Sequence, residues 1–136
     1  MDCPVCNKPM IILELNEVEI DYCPSCSGIW LDAGELELLF EDQIEIEKII
    51  SSFQLDKKNI EKQYKCPICK KRMNKIFVGE NKQLLIDKCP DNDGLWFDKG
   101  ELKSVLKLGD KDNKVVVLLN EIFGTNLKNN KSGEAL

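Results

Sequence analysis

The chain has 136 residues, with 24 acidic and 19 basic side chains, a formal net charge of −5 and no histidine. A chain of this length can form one ordinary domain or two very small ones. Because histidine is the commonest general base in enzymes, its absence argues against hydrolytic catalysis of a familiar kind. We therefore expect a non-enzymatic protein.

The sequence shows neither a secretory leader pattern nor an apolar stretch long enough to span a bilayer, so we expect a cytoplasmic protein with no membrane partner. The seven cysteines are an odd number, which argues against a closed disulfide framework. In a reducing compartment, paired cysteines are more often metal thiolates than disulfides. The cysteines are therefore candidate metal ligands.

Six of the seven cysteines form Cys-Pro-x-Cys pairs. The first two pairs have the spacing C-x₂-C-x₁₆-C-x₂-C, which is typical of a zinc ribbon. Residues 66–106, here called copy two, repeat the pattern of residues 3–40, here called copy one, in the same order and with nearly the same spacing. The repeat predicts two zinc ribbons, each with two cysteine-containing turns, which we call knuckles.

An alternation of apolar and polar residues joins the two knuckles of each copy. In copy one it runs through IILELNEVEIDYC, with Asn16-Glu17 in the middle, and in copy two through KIFVGENKQLLIDKC, with Gly79 at the turn. Alternation of period two about a short polar break predicts a β-hairpin. Such small ribbons bury little apolar surface, so we expect a metal ion to stabilise each one.

A short helix is predicted after each ribbon. In D-A-G-E-L and D-K-G-E-L, we expect Asp32 and Asp98 at the helix N-cap, with Glu35 and Glu101 accepting a hydrogen bond from the amide of the cap residue. This capping box explains the carboxylates without catalysis. The second helix is expected to end at Gly109.

The segment between the copies is predicted to be helical, because residues 35–65 contain neither glycine nor proline. Its apolar residues fall roughly on one helical face: Ile46, Ile49, Ile50, Phe53 and Ile60. This face either covers the ribbons of its own chain or forms a homodimer. The same alternatives apply to VVVLLNEIFG, where Asp112 or Asn113 is the expected cap and Gly124 the expected stop.

These patterns predict a small, metal-stabilised α+β protein in which two zinc ribbons (knuckle, β-hairpin, knuckle, short helix) are joined by a helical linker. The predicted segments follow in chain order: the first ribbon with its helix at 1–41, the linker at 42–64, the second ribbon with its helix at 65–109, a C-terminal helix at 110–124 and a flexible tail at 125–136.

One tryptophan follows the second knuckle of each copy, Trp30 in the first and Trp96 in the second. The simpler interpretation is that each packs over its hairpin and shields the metal thiolates. The alternative is an exposed aromatic anchor for a protein partner.

The sequence CPVC…CPSCSGIWLDAGEL resembles the transcription factor IIB-type zinc finger family, whose hallmark is C-P-x-C, a spacer, then C-P-x-C-x-G-x-W-x-D-x-G-E-L. Copy one matches every hallmark position, and the resemblance implies four zinc ligands there: Cys3, Cys6, Cys23 and Cys26. Copy two matches at three cysteines: Cys66, Cys69 and Cys89. The resemblance implies a ribbon fold and zinc binding, with no known biochemical activity for most members, and we expect two zinc ions per chain.

The fourth ligand of copy two is not a cysteine, because Asn92 stands at that position. Its neutral amide is a poor ligand for a cation that prefers thiolate, imidazole or carboxylate. We expect Asp93, one residue later, to be the fourth ligand. The alternatives are Asp91, a water molecule that completes three cysteines, and no metal at all. The water alternative has the layout of catalytic zinc, although three thiolates weaken the Lewis acidity of the metal.

Charge is unevenly distributed between the two halves of the chain. Residues 1–63 carry 14 acidic and 5 basic side chains (net −9), whereas residues 64–136 carry 10 acidic and 14 basic ones (net +4). The segment KCPICKKRMNK clusters five basic side chains: Lys65, Lys70, Lys71, Arg72 and Lys75. Such a cluster can contact a phosphate backbone. The alternative, favoured by the lack of interleaved aromatics, is a solvated loop or a patch that meets an acidic ribbon of the same chain or another copy.

Three functions are compatible with these features. The first is a zinc-binding, non-enzymatic module that acts as an adaptor for a protein partner, in transcription or its regulation. The second is nucleic-acid binding through the basic knuckle at 65–75. The third is a rubredoxin-like iron or thiol redox protein, because C-P-x-C pairs also occur in such sites. We expect the first.

Overall fold

The computed structural model describes residues 1–58, 63–82, 84–110 and 112–124, and within them the chain forms seven strands and four α-helices. The strands are β1 (Ile11–Leu15), β2 (Val18–Tyr22), β3 (Ile29–Asp32), β4 (Gln54–Leu55), β5 (Asn74–Val78), β6 (Leu84–Lys88) and β7 (Gly94–Phe97). The helices are α1 (Glu35–Leu38), α2 (Gln43–Ser51), α3 (Glu101–Gly109) and α4 (Lys114–Leu119), followed by a π-helical turn (Asn120–Gly124). The fold is the small α+β structure that the sequence predicts.

All seven strands belong to one antiparallel sheet with the order β1-β2-β3-β7-β6-β5-β4. The two copies meet at its centre, where β3 pairs with β7 and Trp30 lies directly opposite Trp96. These tryptophans hold the same position in their copies, so the central pairing relates the copies by an approximate two-fold axis. The ribbons therefore share one sheet.

Both predicted hairpins are confirmed. In the first, Asn16 and Glu17 form a two-residue turn with φ of 51° and 69°, the positive values that a type I′ turn requires. In the second, β5 pairs with β6, and Gly79 begins the turn with φ of 97°. Glycine adopts this conformation without steric cost.

The two faces of the sheet have different coverings. Along β3, Ile29 and Leu31 belong to a large apolar core with residues of all four helices, whereas Trp30 between them belongs to a cluster with the cysteines. Successive side chains of a strand point to opposite faces. One face is therefore covered by helices, and the opposite face carries the two tryptophans and the cysteine clusters.

Helix α2 covers the sheet of its own chain, which was one of the two alternatives for the apolar face of the linker. Ile46 and Ile49 are buried in the core, and Val115, Val116 and Leu119 of α4 are buried there as well. Homodimer formation stays a prediction. Within the described residues, no helix is both long and apolar enough to cross a membrane.

The prediction of a helical linker through residue 64 is wrong for residues 52–58 and 63–64, the part of its second half that the structure describes. Helix α2 ends at Ser51, and β4 then pairs with the outer side of β5. The amide of Asp56 continues the pairing by donating to the carbonyl of Lys75 at 2.8 Å. Satisfying the free backbone groups of an edge strand outweighs the local preference for helix. Ile60 and the predicted tail at 125–136 lie outside the described residues.

The predicted capping boxes are half right. In copy one, Glu35 accepts a hydrogen bond from the amide of Asp32 at 2.8 Å, as predicted. The carboxylate of Asp32, however, caps no helix but accepts a bond from the indole Nε1 of Trp30 at 2.8 Å. The residue that begins α1 is Gly34, in the left-handed conformation with φ of 90°.

Copy two repeats this arrangement. Glu101 accepts from the amide of Asp98 at 2.8 Å, Asp98 accepts from Nε1 of Trp96 at 3.0 Å, and Gly100 begins α3 with φ of 83°. The aspartates were assigned wrongly because a buried indole N–H requires an acceptor, a demand that the helix-start pattern does not reveal.

Two further predictions concern the end of α3 at Gly109 and the start of α4 at Asn113. Gly109 lies inside α3 rather than beyond its end, and a Cβ there would come within 3.1 Å of the ring of Phe40, so close packing explains the glycine. The predicted cap Asn113 is confirmed. Its Oδ1 accepts from the amide of Val115 at 2.7 Å, and its Nδ2 donates to the carbonyl of Leu39 at 3.1 Å.

Candidate metal centres

In each copy, the fold brings four potential metal ligands together, with ligand atoms that all lie within 4.8 Å of one another. The first cluster consists of Cys3, Cys6, Cys23 and Cys26. The second consists of Cys66, Cys69, Cys89 and Asp93. In both clusters, the first residue of each knuckle is buried or nearly so, and its pair partner is partly exposed. These clusters fit two zinc sites.

The separations between ligand atoms fit a tetrahedral zinc ion. Sγ of Cys3 lies 3.7 Å from Sγ of Cys26, and Sγ of Cys69 lies 3.6 Å from Sγ of Cys89. With zinc–sulfur bonds of about 2.3 Å, neighbouring sulfurs of a tetrahedron stand about 3.8 Å apart. A disulfide requires about 2.05 Å. The spacing is therefore that of metal thiolates.

Asp93 occupies the fourth corner of the second cluster. Its Oδ2 lies 3.7 Å from Sγ of Cys66 and 3.5 Å from Sγ of Cys89. Asp91, the sequence alternative, instead pairs with Lys71 at 2.6 Å on the exposed surface. A carboxylate carries the same charge as a thiolate, so the two clusters have equal ligand charge.

The backbone explains why Asn92 stands where a cysteine is expected. In the other three knuckles, the residue after the second cysteine is left-handed: Asn7, Ser27 and Lys70, with φ of 61°, 66° and 68°. In the fourth knuckle, the left-handed residue is Asn92 itself, with φ of 68°, one position earlier.

Its amide closes a correspondingly shorter turn by donating to the carbonyl of Cys89 at 3.1 Å. Asparagine tolerates the left-handed region better than most residues. Its side chain turns outward, where Oδ1 accepts from Nζ of Lys88 at 2.8 Å. The shorter turn places Asp93 at the cluster.

Backbone amides of the knuckles donate to the sulfurs. The amides of Val5 and Cys6 each lie 3.3 Å from Sγ of Cys3, and the amide of Asp91 lies 3.3 Å from Sγ of Cys89. Such bonds stabilise a thiolate. The knuckles are therefore prepared for anionic sulfur.

Burial and hydrogen bonding act in opposite directions on the thiol pKa values. Burial raises the pKa of Cys66 to about 12. Burial also acts to raise the pKa of Cys23, but the amides of Cys26 and Ser25, together with neighbouring thiols, lower it to about 7. Because zinc binds the thiolate form, metal binding at these sites releases protons.

The two tryptophans are fully buried and pack with the cysteines, which confirms their predicted role in the core. Each, however, packs on a knuckle of the other copy. A Cβ at Gly28 would overlap the ring of Trp96, and a Cβ at Gly94 would come within 2.6 Å of Cζ2 of Trp30. Only glycine permits these contacts.

Both glycines belong to the metal knuckles themselves. The carbonyl of Gly28 accepts from the amide of Cys23 at 2.9 Å, and that of Gly94 accepts from the amide of Cys89 at 3.1 Å. We call this arrangement the reciprocal tryptophan packing. The sequence predicts each tryptophan over the hairpin of its own copy, because no local pattern indicates that the copies exchange contacts.

The basic cluster of copy two is smaller than predicted. Lys75 is buried and forms an ion pair with Asp87 at 2.8 Å, and its Nζ also lies 5.7 Å from the centre of the Tyr64 ring. The alternation of β5 places Lys75 on the face opposite Ile76 and Val78. The sequence did not show that this face is also buried there, with the carboxylate of Asp87 opposite Lys75. Four basic side chains remain around the knuckle.

A cleft of about 400 Å³ separates the first knuckles of the two copies. Copy one contributes Pro4 and Asn7, among others. The opposite wall includes Tyr64, Lys65 and Arg72. The expectation that the basic segment lacks interleaved aromatics leaves out Tyr64, which directly precedes Lys65 in the sequence.

A family model described as transcription factor zinc-finger, of the TFIIB zinc-ribbon type, matches the chain twice, at residues 2–42 and 65–108. The two matches correspond to copy one and copy two and together span more than half of the chain. Searches of the curated proteins and of the solved structures found no match.

Proposed function

Because the chain belongs to the transcription factor zinc-finger family, we propose that it is a zinc-binding, non-enzymatic adaptor for a protein partner, in transcription or its regulation. The observation that carries the proposal is the closure of both clusters, since four protein side chains converge in each. Structural zinc sites are closed in this way, whereas catalytic sites keep one position open.

In this proposal, the ligands of the first zinc ion are Cys3, Cys6, Cys23 and Cys26. Those of the second are Cys66, Cys69, Cys89 and Asp93, rather than Asp91 or a water molecule. Zinc bound at these sites supplies folding free energy to ribbons that are small on their own. A cytoplasmic location is part of the proposal, because thiolate ligands persist in a reducing compartment.

The carboxylates that could serve as acid and base support a non-enzymatic role. Glu35 and Glu101 each accept a bond from a backbone amide, and Asp32 and Asp98 each accept one from an indole. All four are committed to positioning the helix starts and the tryptophans.

Metal stoichiometry tests the ligand assignment. We expect native mass spectrometry with elemental analysis to find two zinc ions per chain. Asp93→Ala is expected to weaken zinc binding at the second site alone, whereas Asp91→Ala, the matched control, leaves both sites unchanged. Equal zinc affinity in Asp93→Ala and the parent chain would remove Asp93 from the ligand set.

Capture from cell extract tests the adaptor role. The zinc-loaded chain is immobilised, the extract is treated with nuclease, and retained proteins are identified by mass spectrometry. We expect specific proteins to be retained by the parent chain and lost with Cys26→Ser. If nuclease removes everything that is specifically retained, the adaptor proposal fails.

One observation favours nucleic-acid binding as a second candidate function. Tyr64 lies in the cleft beside Lys65 and Arg72, and an aromatic ring among basic side chains suits a stacked base and a phosphate backbone. A fluorescent single-stranded oligonucleotide titrated at several salt concentrations tests it. Binding that falls steeply with salt and is lost in Tyr64→Ala supports this candidate, and the absence of binding at low salt excludes it.

A further inference from the structure

The structure contains a filled and an open version of the same sheet edge. In copy two, β4 pairs with the outer side of β5, and the amide of Asp56 donates to the carbonyl of Lys75 at 2.8 Å. In copy one, β1 is the counterpart of β5, and it lies at the edge of the sheet. Among the described residues, no strand pairs with its outer side. We call this side the open edge.

The turn of the first hairpin determines which backbone groups the open edge presents. In a two-residue turn such as Asn16-Glu17, the residues that flank the turn bond to each other, and alternate residues of the strand point outward. Ile12 and Glu14 are therefore the residues of β1 whose amides and carbonyls face away from β2. Ile12 corresponds to Lys75, the residue that β4 engages in copy two.

On the helix-covered side, the open edge is apolar. Ile11 is 47% exposed, and Leu13 beside it is half-buried against the core. On the filled edge, β4 places Leu55 opposite Ile76 on this same side. An apolar side chain on an added strand would cover Ile11 in the same way.

On the opposite side, the open edge is acidic around one exposed apolar residue. Glu14 lies directly opposite Glu19, and Ile12, which is 64% exposed, lies directly opposite Asp21. Like charges that face each other across strands are destabilising. A basic side chain on an added strand would relieve this repulsion, and its aliphatic stem would cover Ile12.

We infer that the open edge binds an extended segment of a partner protein in which apolar and basic residues alternate. The inference rests on the proposed adaptor function and specifies the chemistry of the partner. The segment adds an eighth strand to the seven-stranded sheet through main-chain bonds to Ile12 and Glu14. Its apolar residues lie beside Ile11, and its lysines or arginines reach the carboxylates of the other face.

A second copy of this chain fits the open edge less well. Its own β1 would bring another Glu14 and Glu19 against the first pair, which adds like charge. The first half of the chain has a net charge of −9, from 14 acidic and 5 basic side chains, so two such halves repel each other. A basic partner is attracted by the same charge.

Three synthetic peptides of equal length test the inference on the zinc-loaded chain: KVKVKVK, the block sequence KKKKVVV and the charge-inverted EVEVEVE. We expect KVKVKVK to bind at least tenfold more tightly than the other two. Amide hydrogen exchange followed by NMR is expected to show new protection at Ile12 and Glu14. Equal binding of KVKVKVK and KKKKVVV, or no protection at these amides, would overturn the inference.

Two variants locate the binding. Glu14→Pro removes one outward amide, and proline is tolerated on an edge strand. Ile12→Lys keeps every amide and introduces the residue that copy two carries at the same position, which repels a basic peptide. We expect each to weaken KVKVKVK binding at least tenfold, and Glu17→Gln, a control at the turn, to have no effect. Circular dichroism and zinc content confirm that each variant is folded.

Two other results would assign the open edge to a different occupant. Concentration-dependent dimers that Glu14→Pro abolishes would assign the edge to a second copy. Exchange protection of Ile12 in the free chain that disappears when residues 125–136 are deleted would assign it to the tail. Either result overturns the inference. If Ile12→Lys still retains the nuclease-resistant partners, the adaptor function stands and the open edge is not its site.

Discussion

The two copies differ at the second knuckle and on the outer hairpin. Copy one has a fourth cysteine and an exposed Ile12 opposite Asp21, whereas copy two has Asp93 and a buried ion pair between Lys75 and Asp87. The shared centre, with its paired strands, indole bonds and glycine contacts, is the same in both. This comparison indicates that the fold depends on the centre of the sheet, whereas the metal ligands and the outer strands can differ between the copies.

Removing one thiolate from copy one is the largest perturbation of this comparison. In Cys26→Ser, we expect loss of the first zinc ion and of folded copy one, because structural zinc contributes about 10–16 kcal/mol of apparent binding free energy. Native mass spectrometry and thermal unfolding measure both effects. Ser25→Ala, in the same knuckle, is the control and should leave both unchanged. An unaltered melting temperature in Cys26→Ser would show that metal does not hold this ribbon.

Copy two has a buried ion pair at a position where copy one has an exposed isoleucine. We therefore expect substitutions at Lys75 and at Ile12 to change the free energy of unfolding by different amounts. Lys75→Met leaves the carboxylate of Asp87 buried without its cation, and we expect a loss of about 3–5 kcal/mol in the free energy of unfolding. The double variant Lys75→Met/Asp87→Leu should recover most of this loss. Ile12→Lys in copy one should change stability by less than about 0.5 kcal/mol, because the side chain is exposed. Urea unfolding at fixed free zinc measures all three.

The reciprocal tryptophan packing predicts that an added methyl group in one copy disturbs the other. Gly28→Ala and Gly94→Ala are each expected to cost about 1–3 kcal/mol by overpacking. The effect should be larger at Gly94, where the new Cβ also overlaps the carbonyl of Leu31. Gly34→Ala, which meets no atom within 4 Å, is the control for backbone strain alone. Intrinsic tryptophan fluorescence at fixed free zinc follows unfolding. Equal stability of all three variants would contradict this packing.

The turn of the fourth knuckle is shifted by one residue, so two substitutions are needed to give the second metal site the ligands of the first. The double variant Asn92→Cys/Asp93→Ser recreates the knuckle of copy one, and we expect about a tenfold gain in zinc affinity because zinc favours thiolate over carboxylate. Asn92→Cys alone should gain less, since the left-handed conformation at that position disfavours cysteine. Competition with a zinc chelator measures the affinities. A full gain from the single variant would mean that the turn does not control the ligand.

The smallest expected effect concerns the pH dependence of copy two. Burial, with Asp98 and Asp87 nearby, raises the pKa of Glu101 to about 7, despite the bond from the amide of Asp98. A carboxyl group with a raised pKa favours the folded state while it is protonated, and this contribution is lost as the pH rises through about 7. Glu101→Gln should therefore be more stable than the parent chain at pH 8.5, with a difference that shrinks towards pH 6.

Glu35→Gln provides the matched comparison in copy one. Burial also raises the pKa of Glu35 from its ordinary value, so the same sign is expected in thermal unfolding over this pH range. A stability difference for Glu101→Gln that does not vary between pH 6 and pH 8.5 would show that this carboxyl group does not titrate in that range.

Local patterns predicted the local parts of the fold. The alternation around Asn16-Glu17 and Gly79 predicted both hairpins, and cysteine spacing predicted the two clusters. Asp93 was expected from ligand chemistry, and the structure brings it to the second cluster. The preference of Asn92 for a left-handed turn was a further signal in the sequence, and it explains the displacement by one residue.

Contacts between distant residues could not be predicted in the same way. The pairing of β3 with β7 places Trp30 opposite Trp96, which lies 66 positions later in the chain, and no periodicity encodes it. Residues 54–55 were assigned to a helix because the free edge of β5 was unknown. The aspartates of the helix starts were assigned as caps because the buried indoles that need them were unknown. In each case, a hydrogen bond or strand pairing that depends on the tertiary structure outweighed the structure that the local sequence favours.

The reciprocal tryptophan packing has a consequence for how such a duplicated chain can diverge. Gly28 and Trp96 form one matched pair, and Gly94 and Trp30 form the other. A change at one member must be accommodated in the opposite half of the chain, so the units that vary together are these crossed pairs rather than the two repeats. Either repeat expressed alone would lack half of each pair. A second molecule of the same repeat would supply it, so a single repeat would have to pair with a copy of itself to keep these contacts.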